Sequence, residues 1–403
     1  MRASRWSPLL GIALGVVGTL AVQRAQPALL PDARAAKPKA SLDRDSFHAA
    51  LDTVLDRYVE PVDASTVLTR GLQHMVAGLD PYSHYLSADQ RALAKKRQRQ
   101  GAEAGLVTTL HRRADGSAHL EVLAVHPESP GARAGLRPGD ELVSIRGQAC
   151  AFMASNVEAQ LALAGAVGER ITVELARPGG RDGVVALELE LAKPKHDALV
   201  TGALDLKGNH AVAHITIAAF RKGTGDQVKR TLAKLHREAS EGGGKLDGIV
   251  LDVRGNPGGE VDEAVIVADL FIDEGVLTRT RARGGAIARE DMATAANSDL
   301  DTPLVVLQDR RSASASELLA IAIQDSGRGR VVGETSFGKG TVQEVLPLAD
   351  GSLLTLTVAR YYSPRDRSID GQGVRPDVVL SAVDGRAAVD AAERELLTQL
   401  ALR

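Results

Sequence analysis

Residues 304–345, LVVLQDRRSASASELLAIAIQDSGRGRVVGETSFGKGTVQEV, determine the fold of the carboxy-terminal half of the chain. The stretch passes from a continuous apolar run through alternating serines into a segment with helical spacing, and then into the β-branched runs VVGET and TVQEV. Strands that alternate with helices are typical of layered α/β domains, in which continuous apolar runs form central strands. The alternation extends back through the apolar run DGIVLDV and helical spacing at 224–240 and 261–271. We therefore expect an α/β domain over residues 194–403.

The composition of the 403-residue chain is that of a globular protein, with 44% hydrophobic and 25% charged residues. A formal net charge of −2 and an aromatic content of 3% offer neither a basic surface nor stacking platforms, so we expect no nucleic-acid binding. Cys150 is the single cysteine, and no Cys/His cluster has metal-ligand spacing. His210 and His214 are four residues apart on a predicted strand, too far apart to share a metal. We expect no metal site.

The amino terminus has the pattern of a secretory signal. Arg2 and Arg5 precede an uncharged, mostly apolar run at Trp6 to Val22, and the small-residue pattern Ala33-Arg34-Ala35 follows. The run is shorter than the roughly 20 residues that span a bilayer comfortably, although an uncleaved segment could still serve as an anchor. We expect residues 1–40 to be a signal peptide or inner-membrane anchor plus a linker, on a protein exported to the periplasm or cell envelope.

Residues 41–98 have the apolar spacing of helices, and Pro61 and Pro81 divide them into two. We expect a small helical domain here. The apolar stripe either packs inside this domain or pairs with a second copy of the chain, which would make the protein a homo-oligomer. The stripe consists of Phe47, Leu51, Val54, Leu55, Tyr58, Val67, Leu68, Leu72, Met75 and Val76.

Residues 99–193 change to short β-rich runs with turn signals. The segment AGLRPGDELVSIRGQ, residues 134–148, resembles a PDZ domain. A PDZ domain binds the carboxy terminus of a peptide as an added strand, with backbone N–H groups holding the carboxylate. By position, the resemblance assigns peptide binding to Gly105, Leu106 and Val107. The alternative is a purely structural β-rich module.

Lys339 fits three patterns. Residues 333–339 nearly form a nucleotide-binding P-loop, but Gly340 replaces the hydroxyl residue that would bind Mg²⁺, and a strand-like segment follows where a helix should begin. Ser336 and Lys339 also match a Ser-x-x-Lys pair, but that chemistry needs both residues on one helix. The third pattern pairs Lys339 with Ser314.

Ser314 follows the strand LVVLQ and opens a helix, with Glu317 three residues later. One interpretation is a capping box, in which Ser314 and Glu317 cap the helix. The other uses the free N–H groups and positive dipole end of the helix, which can stabilise an oxyanion next to a nucleophile. The local sequence leaves both interpretations open.

Five motifs together resemble the carboxy-terminal processing proteases, also called tail-specific proteases, over about 350 residues. The motifs are LDPYSHYL at 79–86, VLDVRGNPGG at 250–259, SASASE at 312–317, FGKGTVQ at 337–343 and GQGVRPDV at 371–378. The resemblance implies a multidomain α/β (α+β) fold, in which a helical amino-terminal segment and a PDZ domain precede a crotonase-like ββα protease core.

The resemblance also implies the roles of individual residues. Ser314 would be the nucleophile, Lys339 the general base and Gln343 the residue that orients the lysine amine. The base must be a neutral amine, and burial is what lowers a lysine pKa that far. Gly338, Gly340 and the apolar Phe337 fit such a water-poor setting. Backbone N–H groups of Ala315 and Gly258, the latter in preference to Gly259, would form the oxyanion hole.

The implied activity is that of an exported serine endopeptidase acting on proteins with exposed, loose carboxy-terminal tails, with an adaptor protein as a further partner that can activate it. The resemblance implies no cofactor, whether metal, nucleotide or organic. Ala164 stands where many family members have an arginine that links the PDZ and protease domains. Two alternatives compete. One is a serine-histidine-aspartate site, which would need one of four histidines: His196, His210, His214 or His236. The other is a catalytically silent PDZ scaffold or chaperone that only binds carboxy termini.

Overall fold

The computed structural model describes residues 43–113, 117–126, 128–177, 179, 183–194, 198–294, 299–380, 383 and 385–401. The predicted signal or anchor at 1–40 lies outside these residues. Within the described ranges, no helix is long and apolar enough to cross a membrane.

Two helices open the described chain, α1 (Arg44–Arg57) and α2 (Ala64–Ala77). Asp43 caps α1, because its Oδ1 accepts a hydrogen bond from Ser46 N at 2.8 Å. The helices predicted for this segment are therefore present.

The apolar stripe on these helices remains largely uncovered. Phe47, Tyr58 and Met75 are 47%, 57% and 58% exposed. The described part of the chain therefore leaves these side chains uncovered, and pairing with a second copy stays a prediction.

The short strand β1 (His84–Leu86) and the helix α3 (Ala88–Gln100) follow. Ser87 and Gln90 form a capping box at the start of α3, with hydrogen bonds of 3.3 Å to Ser87 Oγ and 3.1 Å to Gln90 Oε1. Gly101 ends the helix in the left-handed conformation, with φ 66°. Such caps satisfy the terminal backbone groups of a helix that has few apolar residues.

The next part of the chain is a β-rich domain. Its elements are β2 (Ala102–Glu103), β3 (Leu106–Arg112), β4 (Ala118–Val125), α4 (Pro130–Arg133), β5 (Glu141–Ile145), β6 (Gln148–Ala149), α5 (Asn156–Ala162), β7 (Ala164–Gly165), β8 (Arg170–Ala176) and β9 (Val184–Glu190). The main sheet has the order β3-β4-β5-β8-β9, all antiparallel, with β6 beside β5. Burial alternates along β4 and β8, because one face of the sheet packs on a core that includes Leu120, Val122 and Val173.

The remaining elements alternate between strands and helices. They are β10 (Val200–Lys207), β11 (His210–Ile217), α6 (Thr224–Glu241), β12 (Leu246–Asp252), α7 (Val261–Asp269), β13 (Val276–Ala282), β14 (Ile287–Met292), β15 (Leu304–Gln308), α8 (Ala315–Asp325), β16 (Arg330–Gly333), β17 (Thr341–Pro347), β18 (Leu353–Tyr362), β19 (Val378–Val379) and α9 (Gly385–Ala401).

One sheet forms the centre of this domain, in the order β10-β11-β12-β15-β16-β19. β10 and β11 are antiparallel, and the other pairs are parallel. On β12, Ile249 and Leu251 join a core with α6, α7 and α8, whereas Val250 joins a core with α9. Because both faces are covered, the central strands are continuous apolar runs, as the sequence indicated.

A second sheet has the order β1-β18-β13-β14, and β17 pairs with β18. β1 pairs antiparallel with β18, with His84 opposite Thr355. This pairing brings the LDPYSHYL segment against the strands that follow Lys339.

Candidate active site

The alternating serines lie in the turn between β15 and α8. Two of them are almost fully buried and donate hydrogen bonds to the backbone of the neighbouring loop. Ser312 Oγ donates to Val253 O at 2.8 Å, and Ser316 Oγ donates to Asn256 O at 3.0 Å. Ser314 is only half-buried, and its hydroxyl donates to no group in the described part of the chain. Of the three hydroxyl groups, that of Ser314 is therefore the one whose proton is not used in a hydrogen bond to a described residue.

The backbone at Ser314 is strained. Its φ of 57° and ψ of −114° place a non-glycine residue at positive φ, where the conformation costs about 1–3 kcal/mol and must be imposed by its surroundings. Such strain at the junction of a strand and a helix is a recurrent way to present a nucleophile.

Glu317 supplies much of this constraint. Its side chain is fully buried, and its two oxygens accept four hydrogen bonds. Oε2 accepts from Ser314 N at 2.7 Å and from Lys339 N at 2.8 Å. Oε1 accepts from Ser336 Oγ at 2.5 Å and from Gly338 N at 2.7 Å. Burial raises the pKa of Glu317, and the four hydrogen bonds oppose that rise. The capping-box interpretation is thus correct for Glu317, but the same carboxylate also joins the serine turn to the lysine loop.

Lys339 lies in the loop between β16 and β17 and is half-buried. Burial lowers the pKa of its amine, and the charge of Glu317 partly opposes this. Nζ lies over the ring of Tyr82, 5.1 Å from the ring centroid. Within the described residues Nζ has no hydrogen-bond or ion-pair partner, so it is not hydrogen-bonded to Ser314 Oγ.

Phe337 lies in a less closed setting than the water-poor one expected from its apolar side chain. Its side chain is 38% exposed. The next residue, Gly338, turns the loop at φ 95°, and its N–H donates to Glu317. The aromatic group beside the amine is Tyr82, which lies far away in sequence.

Gln343 lies on β17, on the same sheet as Tyr82's segment. Its Nε2 donates to Thr341 Oγ1 at 2.8 Å and to Thr357 Oγ1 at 3.3 Å. The amide thus binds two hydroxyls and not the lysine amine in this structure. Ser83 Oγ accepts from Thr357 N at 3.0 Å, so the LDPYSHYL turn and the glutamine share one neighbour.

The predicted oxyanion-hole residues do meet at Ser314. A Cβ built on Gly258 would lie 2.7 Å from Ser314 Cβ and 2.9 Å from Ala315 N, so only glycine fits at this approach. Ala315 N donates to no group in the described residues. Gly258 N, in contrast, donates to Asn256 Oδ1 at 2.9 Å. The Gly258 N–H must share or release that bond before it can serve an oxyanion.

The competing site interpretations lose support. Lys339 leads into strand β17, not into the helix that a P-loop requires. Ser336 Oγ is committed to Glu317 and is not on a helix with Lys339.

Three of the four candidate histidines lie in the described residues, and each has an aspartate partner away from the serine turn. His214 and His236 contact Asp252 and Asp299 at 3.1 and 2.7 Å, and His210 lies 3.6 Å from Asp247. His196 lies outside the described residues. No group of three or more potential ligands within the described ranges could hold a metal.

The residues predicted to bind a peptide lie at the start of β3. Gly105 has φ 70°, and a Cβ there would lie 2.2 Å from Ser129 Cβ, so both conformation and space require glycine. Leu106 and Val107 begin the strand and pair with Val125 and Ala124 of β4.

Sequence reasoning missed the contact of Tyr82 and the full role of Glu317. The Asp80-Pro81 turn carried a signal for the first, because an aspartate at a turn fixes the residues that follow. Asp80 Oδ1 accepts from Tyr82 N and Ser83 N, both at 2.8 Å. No local sequence pattern indicated that Tyr82 of this turn would contact the Lys339 amine.

Two family models match the chain. Residues 121–177 match the PDZ domain, and residues 211–380 match peptidase family S41. The PDZ match includes the segment AGLRPGDELVSIRGQ, and the S41 match includes the serine turn and the lysine loop.

Relatives with similar sequences are carboxy-terminal processing enzymes. The carboxy-terminal-processing protease of Bartonella bacilliformis (strain ATCC 35685 / KC583 / Herrer 020/F12,63) is 30% identical, over 83% of this chain and 74% of its own length. The chloroplastic C-terminal processing peptidase of Tetradesmus obliquus is 31% identical, over 84% of this chain and 73% of its own. The carboxy-terminal processing protease CtpB of Bacillus subtilis (strain 168) is 29% identical, over 91% and 74%.

A solved structure also matches most of the chain. The photosystem II D1 C-terminal processing protease aligns with a TM-score of 0.68 and 31% identity, covering 87% of this chain and 91% of that one. The multidomain α/β architecture, with a PDZ domain followed by a protease domain, is therefore confirmed. On sequence, domain order and fold together, the chain belongs to peptidase family S41, among the carboxy-terminal processing proteases.

Proposed function

We propose that the protein is an exported serine endopeptidase that cleaves proteins at or near unstructured carboxy-terminal tails, with Ser314 as nucleophile and Lys339 as general base. The observation that carries this proposal is the buried Glu317 carboxylate, which binds the backbone of Ser314 and of Lys339 at 2.7 and 2.8 Å. The Glu317 side chain thus holds the backbone of both Ser314 and Lys339. The hydroxyl of the first and the amine of the second donate no hydrogen bond to another described group.

The chemistry follows from these groups. Neutral Lys339 would take the proton of Ser314 Oγ as the oxygen attacks the substrate carbonyl, and the resulting ammonium would return it to the leaving amine. The N–H groups of Ala315 and Gly258 would stabilise the oxyanion of the tetrahedral intermediate. A water molecule, activated by the same amine, would then hydrolyse the acyl-enzyme.

Substrate binding must realign two groups. Nζ has to move from the Tyr82 ring to Ser314 Oγ, and Gln343 has to exchange a threonine hydroxyl for the lysine amine. Such tightening on substrate binding is common, because catalytic hydrogen bonds are often incomplete in a free enzyme. Gln343 suits the role, since a neutral amide does not favour the charged form of the lysine as a carboxylate would.

The location, domain bounds and partners that we propose rest on the sequence. We propose that residues 1–40 direct export or anchoring at the inner membrane, and that 41–98, 99–193 and 194–403 form the helical, PDZ and protease domains. The PDZ domain would bind substrate tails through Gly105, Leu106 and Val107. An activating adaptor protein and a homo-oligomeric state belong to the same proposal.

The test uses an unstructured peptide that ends in alanines, with products identified by mass spectrometry. The parent protein should cleave it, whereas Ser314→Ala and Lys339→Ala should not, and Ser312→Ala serves as a control that removes a neighbouring hydroxyl. Cleavage that survives both substitutions would refute the serine/lysine mechanism. Binding of the peptide without cleavage by the parent would support the silent scaffold instead.

A further inference from the structure

Asp309 carries a buried carboxylate that the proposed chemistry does not use. It follows strand β15 directly and is 1% exposed. It lies outside the five sequence motifs, in the three residues DRR that separate the central strand from SASASE. Burial of a carboxylate is costly unless hydrogen bonds and a cation compensate it, so the partners of this group show what it holds in place.

The carboxylate of Asp309 joins two loops that are distant in sequence. Its Oδ1 accepts hydrogen bonds from Arg311 N and Ser312 N, both at 3.0 Å, within the serine turn. The same oxygen accepts from Gly255 N at 2.9 Å, in the oxyanion loop, residues 255–259, between β12 and α7. Oδ2 faces the Arg311 guanidinium, with 2.7 Å to Nε and 2.6 Å to Nη2. The carboxylate thus fastens the oxyanion loop to the serine turn.

The oxyanion loop has little room where it meets the serine turn. Ala313 N donates to Asn256 O at 3.0 Å, one residue beyond the bond that Asp309 makes. A Cβ on Gly258 would lie 2.6 Å from Ala313 O, so the two backbones are in close contact. Glycine has many alternative conformations, and Gly258 has φ 96°. The bonds to the serine turn therefore have to select the conformation in which Gly258 approaches Ser314.

The proposed oxyanion hole depends on this attachment, because its two N–H groups lie on different segments. The Gly258 N–H belongs to the oxyanion loop, and the Ala315 N–H belongs to the start of α8. Both groups must lie about 3 Å from one oxygen, and the charge on that oxygen develops only as the transition state forms. A displacement of about 1 Å between them is enough to slow catalysis roughly 10²-fold.

We propose that Asp309, neutralised by Arg311, is a positioning residue that sets the geometry of the proposed oxyanion hole. It does so by holding the Gly255 end of the oxyanion loop against the serine turn. The inference rests on the proposed function and deepens it, because it adds a residue to the machinery of the same reaction. Asp309 acts through the backbone of Gly255 and Ser312, so its loss should lower kcat and leave KM nearly unchanged.

The test compares Asp309→Asn with the double variant Asp309→Asn/Arg311→Gln. In the single variant, the new NH₂ group faces either the guanidinium or the backbone N–H groups, all of which are donors, so the attachment is weakened. In the double variant, the glutamine oxygen can accept from that NH₂ group, and the asparagine oxygen can accept from Gly255 N again. We expect kcat to fall about 10²-fold in the single variant and to return to within about fivefold of the parent in the double variant.

The substrate is the unstructured peptide that ends in alanines, and kcat is expressed per folded molecule, with the folded fraction taken from denaturant unfolding. A role in folding alone would lower that fraction without changing kcat or KM. Asp301→Asn and Arg310→Gln are matched controls at exposed positions near Asp309 and should change neither constant. If Asp309→Asn yields no folded protein, Asp309→Ser takes its place, and the same fall in kcat is expected because its hydroxyl reaches fewer of the N–H groups.

Amide hydrogen exchange of residues 253–259, followed by mass spectrometry, measures the attachment itself. Exchange should be faster in Asp309→Asn than in the parent, and should slow again in the double variant. This readout does not require turnover.

Three results would overturn the inference. They are an unchanged kcat in Asp309→Asn, a loss of kcat/KM that lies wholly in KM, and a double variant that is no more active than the single one. A parent protein that cleaves no peptide would instead refute the proposed function. Equal exchange in that parent and in Asp309→Asn would then refute the inference as well, because Asp309 would not hold the oxyanion loop.

Discussion

The Ser314 end of the site and the Lys339 end are held by different parts of the protein. Ser314 lies between a central strand and a buried helix, and the hydroxyls of Ser312 and Ser316 fix the turn on both sides of it. Lys339 lies at the edge of the second sheet, and its amine contacts Tyr82 from the amino-terminal part of the chain. The core thus holds the proposed nucleophile in place, whereas the position of the proposed base depends on a contact with Tyr82 that can be exchanged.

Replacing Lys339 by Met tests the base end with the largest expected effect. Turnover should fall by a factor of about 10⁴ or more, because removal of one member of a catalytic unit abolishes the unit. Stability should not fall, since the variant no longer buries an amine.

The same variant should change how stability depends on pH. Burial lowers the pKa of Lys339 below its ordinary value of 10.5, so the folded protein binds fewer protons than the unfolded chain between the lowered value and 10.5. Stability of the parent should therefore rise with pH in that window, and the slope should be smaller in Lys339→Met. Denaturant unfolding at several pH values measures both. A variant that is both active and less stable would contradict the assignment.

Glu317→Gln tests the group that joins the two ends. The four groups that bind the Glu317 carboxylate are all hydrogen-bond donors, and the amide of the variant would place its own donor NH₂ group against some of them. The free energy of unfolding should therefore fall by about 2–4 kcal/mol, and turnover by roughly 10²–10³-fold. Urea unfolding and peptide cleavage provide the two readouts. Glu344→Gln, at an exposed position on β17, is the control and should change neither. Normal turnover in Glu317→Gln would show that the two ends do not need this carboxylate.

Two alanine variants distinguish the role of Ser314 from that of Ser316. Ser316→Ala removes a buried hydroxyl that donates to Asn256 O, and should cost about 1–2 kcal/mol of stability while most turnover remains. Ser314→Ala should abolish turnover without that loss of stability, because its hydroxyl donates to no described group. The opposite pattern would assign the nucleophile to Ser316.

Tyr82 should have the smallest effect. Tyr82→Leu keeps apolar bulk beside the amine but removes the ring that favours the ammonium, a contribution of about 0.5–1 kcal/mol. The pKa of Lys339 should fall further, and the acid limb of the pH profile of kcat/KM should move down by less than about one pH unit. Tyr82→Phe retains the ring and should match the parent. A shift to higher pH in Tyr82→Leu would mean that the residue acts mainly by excluding water.

Patterning predicted most of the central fold. Strand β15 coincides with the apolar run LVVLQ, and α6 ends one residue later than the predicted limit of 240, because a continuous apolar run and clear helical spacing mark these segments. The helix α3 was missed because most of its residues are charged residues or glutamines and few are apolar, although the Ser87–Gln90 cap was readable. The polar strands β13 and β14 and the terminal helix α9 were not predicted either.

Only the site residues that belong to sequence motifs could be predicted. Ser314, Lys339, Ala315 and Gly258 came from the resemblance, and the structure places Ala315 and Gly258 at Ser314. The contacts of Gln343 with Thr341 and Thr357 depend on how β17 pairs with β18, and that of Tyr82 on the pairing of β1 with β18. Register between distant strands is set by tertiary packing, which no local pattern encodes.

The protonation state of Lys339 decides whether its amine can act as the general base for Ser314. Protein with ¹³C-labelled lysine, assigned with Lys339→Met, allows the amine to be titrated by NMR in parallel with kcat/KM. If Lys339 is the general base, its pKa should lie below 10.5 and coincide with the acid limb of kcat/KM. An amine that stays protonated across the pH range of turnover would contradict it.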